Sequence, residues 1–127
     1  METPKPAPVQ APAEISRTEA MASIGGEWKG KAQELGNGKQ YEMRLSINPA
    51  NHSFKVAYPE LGCSGIWDFS ENDRSDLSFK EIILNGVNNC VQGILIKLII
   101  KNVRQIECLM YYPSINNLVA KTTLFKQ

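Results

Sequence analysis

The segment Gln40-Tyr41-Glu42-Met43-Arg44-Leu45-Ser46-Ile47 decides the fold class. Its large apolar side chains stand at every second position, and polar or charged side chains stand between them. A period of two is the pattern of a β-strand with one face buried and the other in water. The runs 53–59, 75–84 and 104–112 repeat this alternation. The pattern therefore predicts an all-β protein.

Eight such runs follow one another from Gly26 onward. The predicted strands are 26–34, 40–47, 53–59, 63–70, 75–84, 91–100, 104–112 and 118–126. The connections are rich in Gly, Asn and Pro, which are the residues that tight turns require. Each connection is too short for a crossover helix, so neighbouring strands pair antiparallel. A two-sheet sandwich is the alternative, but sequential hairpins favour an eight-stranded up-and-down β-barrel.

The first 25 residues differ from this pattern. Residues 1–13 contain four of the seven prolines and predict a disordered, polyproline-like tether. Residues 14–25 predict a short helix or cap that ends at Gly25-Gly26. The tether would hold the barrel domain, 26–127, away from an upstream lipid or membrane anchor. A tail with no such task is the alternative.

The predicted strand 91–100 is apolar on both faces. Ile94, Ile96 and Leu98 alternate with Leu95 and Ile99. Its outer face is therefore expected to lie beneath another element. The helix predicted before residue 25 is one candidate for this cover, and the interface of a homodimer is the other.

Charge and hydrophobicity exclude two kinds of partner. The 14 basic residues nearly balance the 13 acidic ones, giving a net charge of +1. No long-range field would therefore recruit nucleic acid or an anionic membrane surface. The most hydrophobic run, 93–100, is far shorter than the roughly 20 residues of a membrane-spanning helix. No motif for a cofactor or for catalysis appears, which predicts a non-enzymatic protein without a cofactor.

The three cysteines permit two interpretations. Cys63 and Cys90 stand at predicted strand starts, which favours a pair, whereas Cys108 lies in an apolar run as a buried thiol. Three reduced cysteines in a cytosolic protein are the alternative, and the composition does not decide between them. A metal site is not expected, because the short Cys-Cys spacing of structural zinc sites is missing.

Gly26-Glu27-Trp28, at the head of the first predicted strand, resembles the start of the lipocalins and avidins, the calycin group. In those barrels the tryptophan closes one end, and a basic residue of the last strand packs on it. The resemblance gives that role to Lys121 or Lys126. It implies a calycin-like barrel with a short N-terminal helix.

A second resemblance covers about residues 26–125. It rests on Tyr58-Pro59-Glu60-Leu61-Gly62-Cys63-Ser64-Gly65, Phe79-Lys80-Glu81-Ile82-Ile83 and Cys90-Val91-Gln92-Gly93. These segments look like small extracytoplasmic domains found at the ends of bacterial serine/threonine kinases and in bacterial lipoproteins. Two cysteines of those domains match Cys63 and Cys90, so the resemblance implies a disulfide and an exported protein. This chain differs in carrying Cys108 and in lacking a kinase portion.

Glu81 is the most informative candidate for a binding site. Its parity places it on the inward face with Phe79 and Ile83, and a buried carboxylate requires a partner. The candidate partners are Lys97, Lys121, Arg104 and a tyrosine hydroxyl. Glu81 would be either the polar anchor of a ligand cavity or a member of a structural pair.

Four aromatic residues complete the candidate ligand-binding set, namely Trp28, Tyr41, Tyr58 and Tyr112. Rings of this kind line cavities, although in a small barrel they also fill the core. The only histidine, His52, lies in a predicted exposed turn without a nucleophile beside it. It therefore predicts no catalytic role.

The leading hypothesis is an extracytoplasmic binding or protein-interaction module of the bacterial envelope, such as an inhibitor or an accessory protein. A self-associating structural subunit is the alternative, followed by a lipocalin-like carrier of small molecules and by an enzyme. The sequence identifies neither ligand nor partner. A cavity of a few hundred Å³ lined by Glu81 and aromatic rings would support ligand binding, and a filled interior would oppose it.

Overall fold

The computed structural model describes residues 22–69, 77–113 and 117–127, most of which lie in eight β-strands. The strands are β1 (Gly26–Glu34), β2 (Gln40–Asn48), β3 (Ser53–Tyr58), β4 (Cys63–Phe69), β5 (Leu77–Asn85), β6 (Leu95–Asn102), β7 (Gln105–Tyr112) and β8 (Asn117–Lys126). Consecutive strands pair antiparallel, and β8 pairs with β1. This confirms the predicted closed, eight-stranded up-and-down barrel.

Two predicted segments, the tether and the short helix, precede the barrel. The tether 1–13 lies outside the described residues, as does most of the helix predicted over 14–25. The described part of that segment brings Ile24 into the core, where it is fully buried. Its carbonyl accepts a hydrogen bond from the indole Nε1 of Trp28 at 2.9 Å.

The start of β6 corrects the sequence prediction. The strand begins at Leu95 rather than at residue 91, because a longer connection of turns precedes it. Gly93 in this connection has a φ of 76°, a left-handed conformation that interrupts an extended chain. Cys90 therefore lies in the connecting loop and not at a strand start. We refer to residues 86–94 as the β5–β6 loop.

The outer face of β6 is partly exposed. Ile96 and Leu98 point inward and are buried, whereas Ile99 on the other face is 37% exposed. Leu95, also on that face, is half-buried. The helix expected to cover them falls largely outside the described residues, so the predicted cover stays a prediction.

The barrel interior is filled at one end by aromatic rings. Phe54 lies 4.5 Å from Phe79 and 6.4 Å from Trp67 between ring centroids, and Phe69 lies 5.3 Å from Phe79. Trp28 adds to this end and is 1% exposed. We call it the closed end. Its packing leaves any free interior volume at the opposite end, where β1 ends and β2 begins.

Gly65 allows β4 and β5 to approach closely. The strand register shifts between Ser64 and Gly65. A Cβ atom on Gly65 would lie 2.0 Å from the carbonyl oxygen of Ile82, well inside contact distance. Glycine in a strand interior often marks such a close approach of two backbones. The close approach lies two residues after Cys63 on β4, near the end of the barrel that contains the β5–β6 loop.

Candidate functional site

A cavity of about 550 Å³ occupies the end of the barrel opposite the closed end. It is reached between the β1–β2, β3–β4, β5–β6 and β7–β8 connections, and we call this the open end. Four of the five predicted site residues line the cavity: Tyr41, Tyr58, Glu81 and Tyr112. Apolar side chains from the surrounding strands form much of the remaining wall, among them Leu61, Ile94, Met110 and Leu118. The volume is within the range of small-molecule sites.

Glu81 lies on the cavity wall and is 3% exposed. The Tyr58 hydroxyl donates to its Oε2 at 2.6 Å, and the Trp67 Nε1 donates to the same oxygen at 3.0 Å. Of the four predicted partners, the structure therefore selects a tyrosine hydroxyl. The indole of Trp67 is a second donor that the sequence prediction missed.

Burial is the largest influence on the pKa values of Glu81 and Tyr58. It raises the pKa of the Glu81 carboxyl above its ordinary value of 4.5, while the hydrogen bonds from Tyr58 and Trp67 act in the opposite direction. Burial likewise raises the pKa of Tyr58 well above 10.0, with the Glu81 charge adding to the effect. A buried carboxyl of this kind gains strongly from a partner that favours its ionised form.

Tyr41 lines the cavity beside Tyr58. Its ring meets that of Tyr58 edge to face, with centroids 5.7 Å apart. Burial, followed by the negative charges of Glu34 and Glu81, raises the pKa of Tyr41 to about 12. The Tyr41 phenol therefore stays a neutral hydrogen-bond donor at any physiological pH.

The rim of the cavity is fixed by the Cys63–Cys90 disulfide, as the resemblance implied. The bond joins the start of β4 to the β5–β6 loop, and Cys90 itself lines the cavity. The side-chain amide of Gln92 also holds this loop. It accepts from the backbone N–H of Ile83 and donates to the carbonyl of Ile83, both at 2.8 Å. Gln92 thus replaces a strand partner before β6 begins.

No sequence pattern predicted this role of Gln92, because a glutamine in a loop is normally interpreted as a solvated side chain. Only the three-dimensional pairing with β5 shows its role. A glutamine amide offers a donor and an acceptor side by side, which matches the N–H and C=O of one extended residue. The loop that borders the cavity is therefore anchored at both Cys90 and Gln92.

Trp28 lies apart from the other predicted site residues. It is buried at the closed end, where the ammonium of Lys126 lies 5.8 Å from its ring centroid. Of the two lysines that the calycin resemblance suggested, Lys126 is the one that occupies this position. At the open end, Tyr112 is 39% exposed and stands at the rim rather than in the depth of the cavity.

Two further inward side chains lie in the middle of the barrel. Cys108 is a free thiol and fully buried, as predicted, and this burial raises its pKa well above 9.0. The Thr122 hydroxyl is buried and has no hydrogen-bond partner among the described residues.

His52 is exposed in a turn, with a left-handed φ of 54°.

The parts of the chain that the structure describes contain neither a cluster of metal-ligating side chains nor a membrane-spanning helix. Within residues 22–69, 77–113 and 117–127, no three His, Cys, Asp or Glu side chains lie close enough to hold a metal ion. Over the same ranges, no helix has the length and apolar character to cross a bilayer.

No family model, no curated protein and no solved structure matches this chain.

Proposed function

We propose that this chain is a calycin-like, lipocalin-like binding module that takes up a small molecule at the open end of its barrel. The observation that carries the proposal is the cavity of about 550 Å³, with the buried Glu81 carboxylate on its wall. A small number of polar groups within mostly apolar walls is the usual composition of a ligand site. The module acts without catalysis, and its ligand enters past the β5–β6 loop.

The proposal places the module outside the cytoplasm. The Cys63–Cys90 bond supports this, because stable disulfides persist in oxidising compartments and are rare in the cytosol. The Pro-rich segment 1–13 would tether the barrel to the bacterial envelope. Contact with a protein partner, as an inhibitor or accessory protein would make, remains a prediction of the sequence alone.

The cavity can be tested with N-phenyl-1-naphthylamine, a dye whose fluorescence rises in apolar surroundings. We expect saturable binding of one dye molecule per chain. The variant Ala120→Phe places a ring in the cavity, because Ala120 is buried on its wall, and should abolish most of the signal. Lys121→Phe is the matched control, since Lys121 is the next residue on β8 and is exposed.

Leu118→Trp provides a second way to fill the cavity, from a less buried position on the same wall. Both filling variants should keep the β-sheet circular dichroism spectrum of the parent. Equal dye binding by the filled, control and parent proteins would contradict the proposal.

A further inference from the structure

The charged side chains that line the cavity all carry the same sign. Glu34 lies toward the mouth and Glu81 lies deeper, and no lysine or arginine lines the cavity among the described residues. The whole chain has a net charge of +1, so this local surplus of negative charge is not a reflection of overall composition. Carboxylates within low-dielectric walls concentrate the field inside the cavity. That field attracts cations and repels anions.

One carboxylate oxygen of Glu81 accepts no hydrogen bond from the residues that the structure describes. The hydrogen bonds from Tyr58 and Trp67 both end on Oε2, and Oε1 accepts none from the described residues. The side chain is 3% exposed and lines the cavity, so Oε1 is the acceptor available to a ligand. Because two donors already hold the carboxylate in place, it is preorganised for a third hydrogen bond.

Aromatic and apolar groups complete the surroundings of this oxygen. Tyr41 and Tyr58 form an edge-to-face pair on the same wall, and ring faces stabilise organic cations. Ile94 and Met110 offer apolar surface nearby. A bare metal ion would leave these walls unused, whereas a hydrocarbon would leave Glu81 buried without a charged partner.

We propose that the ligand of this cavity is a small organic amine with an apolar body, whose ammonium group donates a hydrogen bond to Oε1 of Glu81. The apolar body packs on Ile94 and Met110, and Glu34 attracts the cation toward the mouth. This inference rests on the proposed function and assigns the chemical class of its ligand.

Proton release accompanies this binding. Among the described residues, the side chains that hydrogen-bond to Glu81 or are affected by its charge are Tyr58, Trp67, Tyr41 and Cys108, and none of these is basic. In the empty barrel, burial raises the pKa of Glu81, and an ammonium ion beside it lowers that pKa again. Affinity for an amine should therefore increase as the pH rises through the pKa of Glu81 in the ligand-free protein.

Isothermal titration calorimetry with three probes of similar shape tests the assignment: 2-phenylethylamine, 2-phenylethanol and 3-phenylpropanoate. We expect the amine to bind at least roughly tenfold more tightly than the neutral alcohol, as a charge-assisted hydrogen bond in a buried site allows. The anion should show no binding. Neutral or anionic probes that bind as tightly as the amine would overturn the amine assignment.

Glu81→Gln supplies an independent measurement. It should reduce amine affinity roughly tenfold and leave alcohol affinity within about twofold, because the amide keeps the shape but loses the charge. Glu107→Gln is the matched control, since it removes the same charge from an outward-facing position of β7 near Lys101. Equal effects of the two substitutions on amine binding would also overturn the assignment.

The outcomes separate this inference from the proposed function. Binding of the alcohol or of N-phenyl-1-naphthylamine, without preference for the amine, would leave a ligand-binding barrel whose ligand is not a cation. Failure of all four probes to bind the parent protein would contradict the proposed function itself. The probe comparison uses the parent protein, so it stands even where a variant folds poorly.

Discussion

At the scale of single residues, Glu81 determines how stability depends on pH. Burial raises its pKa above 4.5 in the folded protein, so the folded state holds this proton more tightly than the unfolded state. The parent protein therefore loses stability as pH rises from about 4.5 through the folded-state pKa. Glu81→Gln removes that loss. The free energy of unfolding of the variant, relative to the parent, should increase over this pH interval and then become constant.

Urea denaturation at a series of pH values measures this difference. Other titrating groups are common to both proteins, and their contributions largely cancel in the comparison. Glu107→Gln, at an outward position, should show a much flatter difference. A difference for Glu81→Gln that does not vary with pH would contradict the burial argument.

Thr122 provides a second prediction at this scale. Its hydroxyl is buried without a partner among the described residues, and an unsatisfied buried polar group destabilises the folded state. Thr122→Val keeps the shape and should raise the free energy of unfolding by roughly 1 kcal/mol. Thr123→Val, on the more exposed face of β8, is the control and should change it by less than about 0.5 kcal/mol. Destabilisation by Thr122→Val would show that the hydroxyl is satisfied.

At the scale of strands and loops, the close approach of β4 and β5 depends on Gly65. A methyl group there would meet the Ile82 carbonyl oxygen at 2.0 Å, so Gly65→Ala must displace one strand. We expect a loss of roughly 2 kcal/mol or more in thermal or urea unfolding. Gly36→Ala is the control, because no heavy atom lies within 4 Å of its Cβ position. Similar stability of the two variants would contradict the predicted approach.

The Cys63–Cys90 disulfide is a second source of stability at the scale of strands and loops. Cys63 and Cys90 are 27 residues apart, and closing such a loop is worth roughly 3.5 kcal/mol in the chain-entropy model. Cys63→Ala/Cys90→Ala should lose about that stability, measured by urea unfolding, and should loosen the rim of the cavity. Thiol counting on the denatured, unreduced parent should find Cys108 alone, and three reactive thiols would contradict the bond.

The strand pattern was predictable because each inward face alternates along its own segment, as in 40–47. The start of β6 was not, since Ile94 continues the apolar pattern while Gly93 turns the chain. Period-two alternation records which face a side chain occupies, but it does not record where the backbone stops being extended. Alternation also does not predict the role of Gln92, because its partner, Ile83 on β5, is nine residues away along the chain.

At the scale of the whole molecule, the barrel has two different halves. The closed end is packed by rings such as Phe54, Phe79 and Trp28, whereas the open end holds the cavity around Glu81. The parity of Glu81 predicted an inward carboxylate but not its depth, which depends on the stagger of strands around the closed sheet. For the same reason, the sequence placed Trp28 and Tyr58 in one set although they occupy opposite ends.

The two tryptophans of the chain provide the most direct test that the open-end cavity is a binding site. The Trp67 indole N–H donates to Glu81, and the Trp28 indole N–H donates to Ile24 at the closed end. Each gives a separate signal in a ¹H–¹⁵N spectrum during titration with 2-phenylethylamine. We expect a saturable shift of the Trp67 indole signal with the Trp28 signal unchanged. A shift of the Trp28 signal alone, or no shift of either at the highest amine concentration, would contradict this expectation.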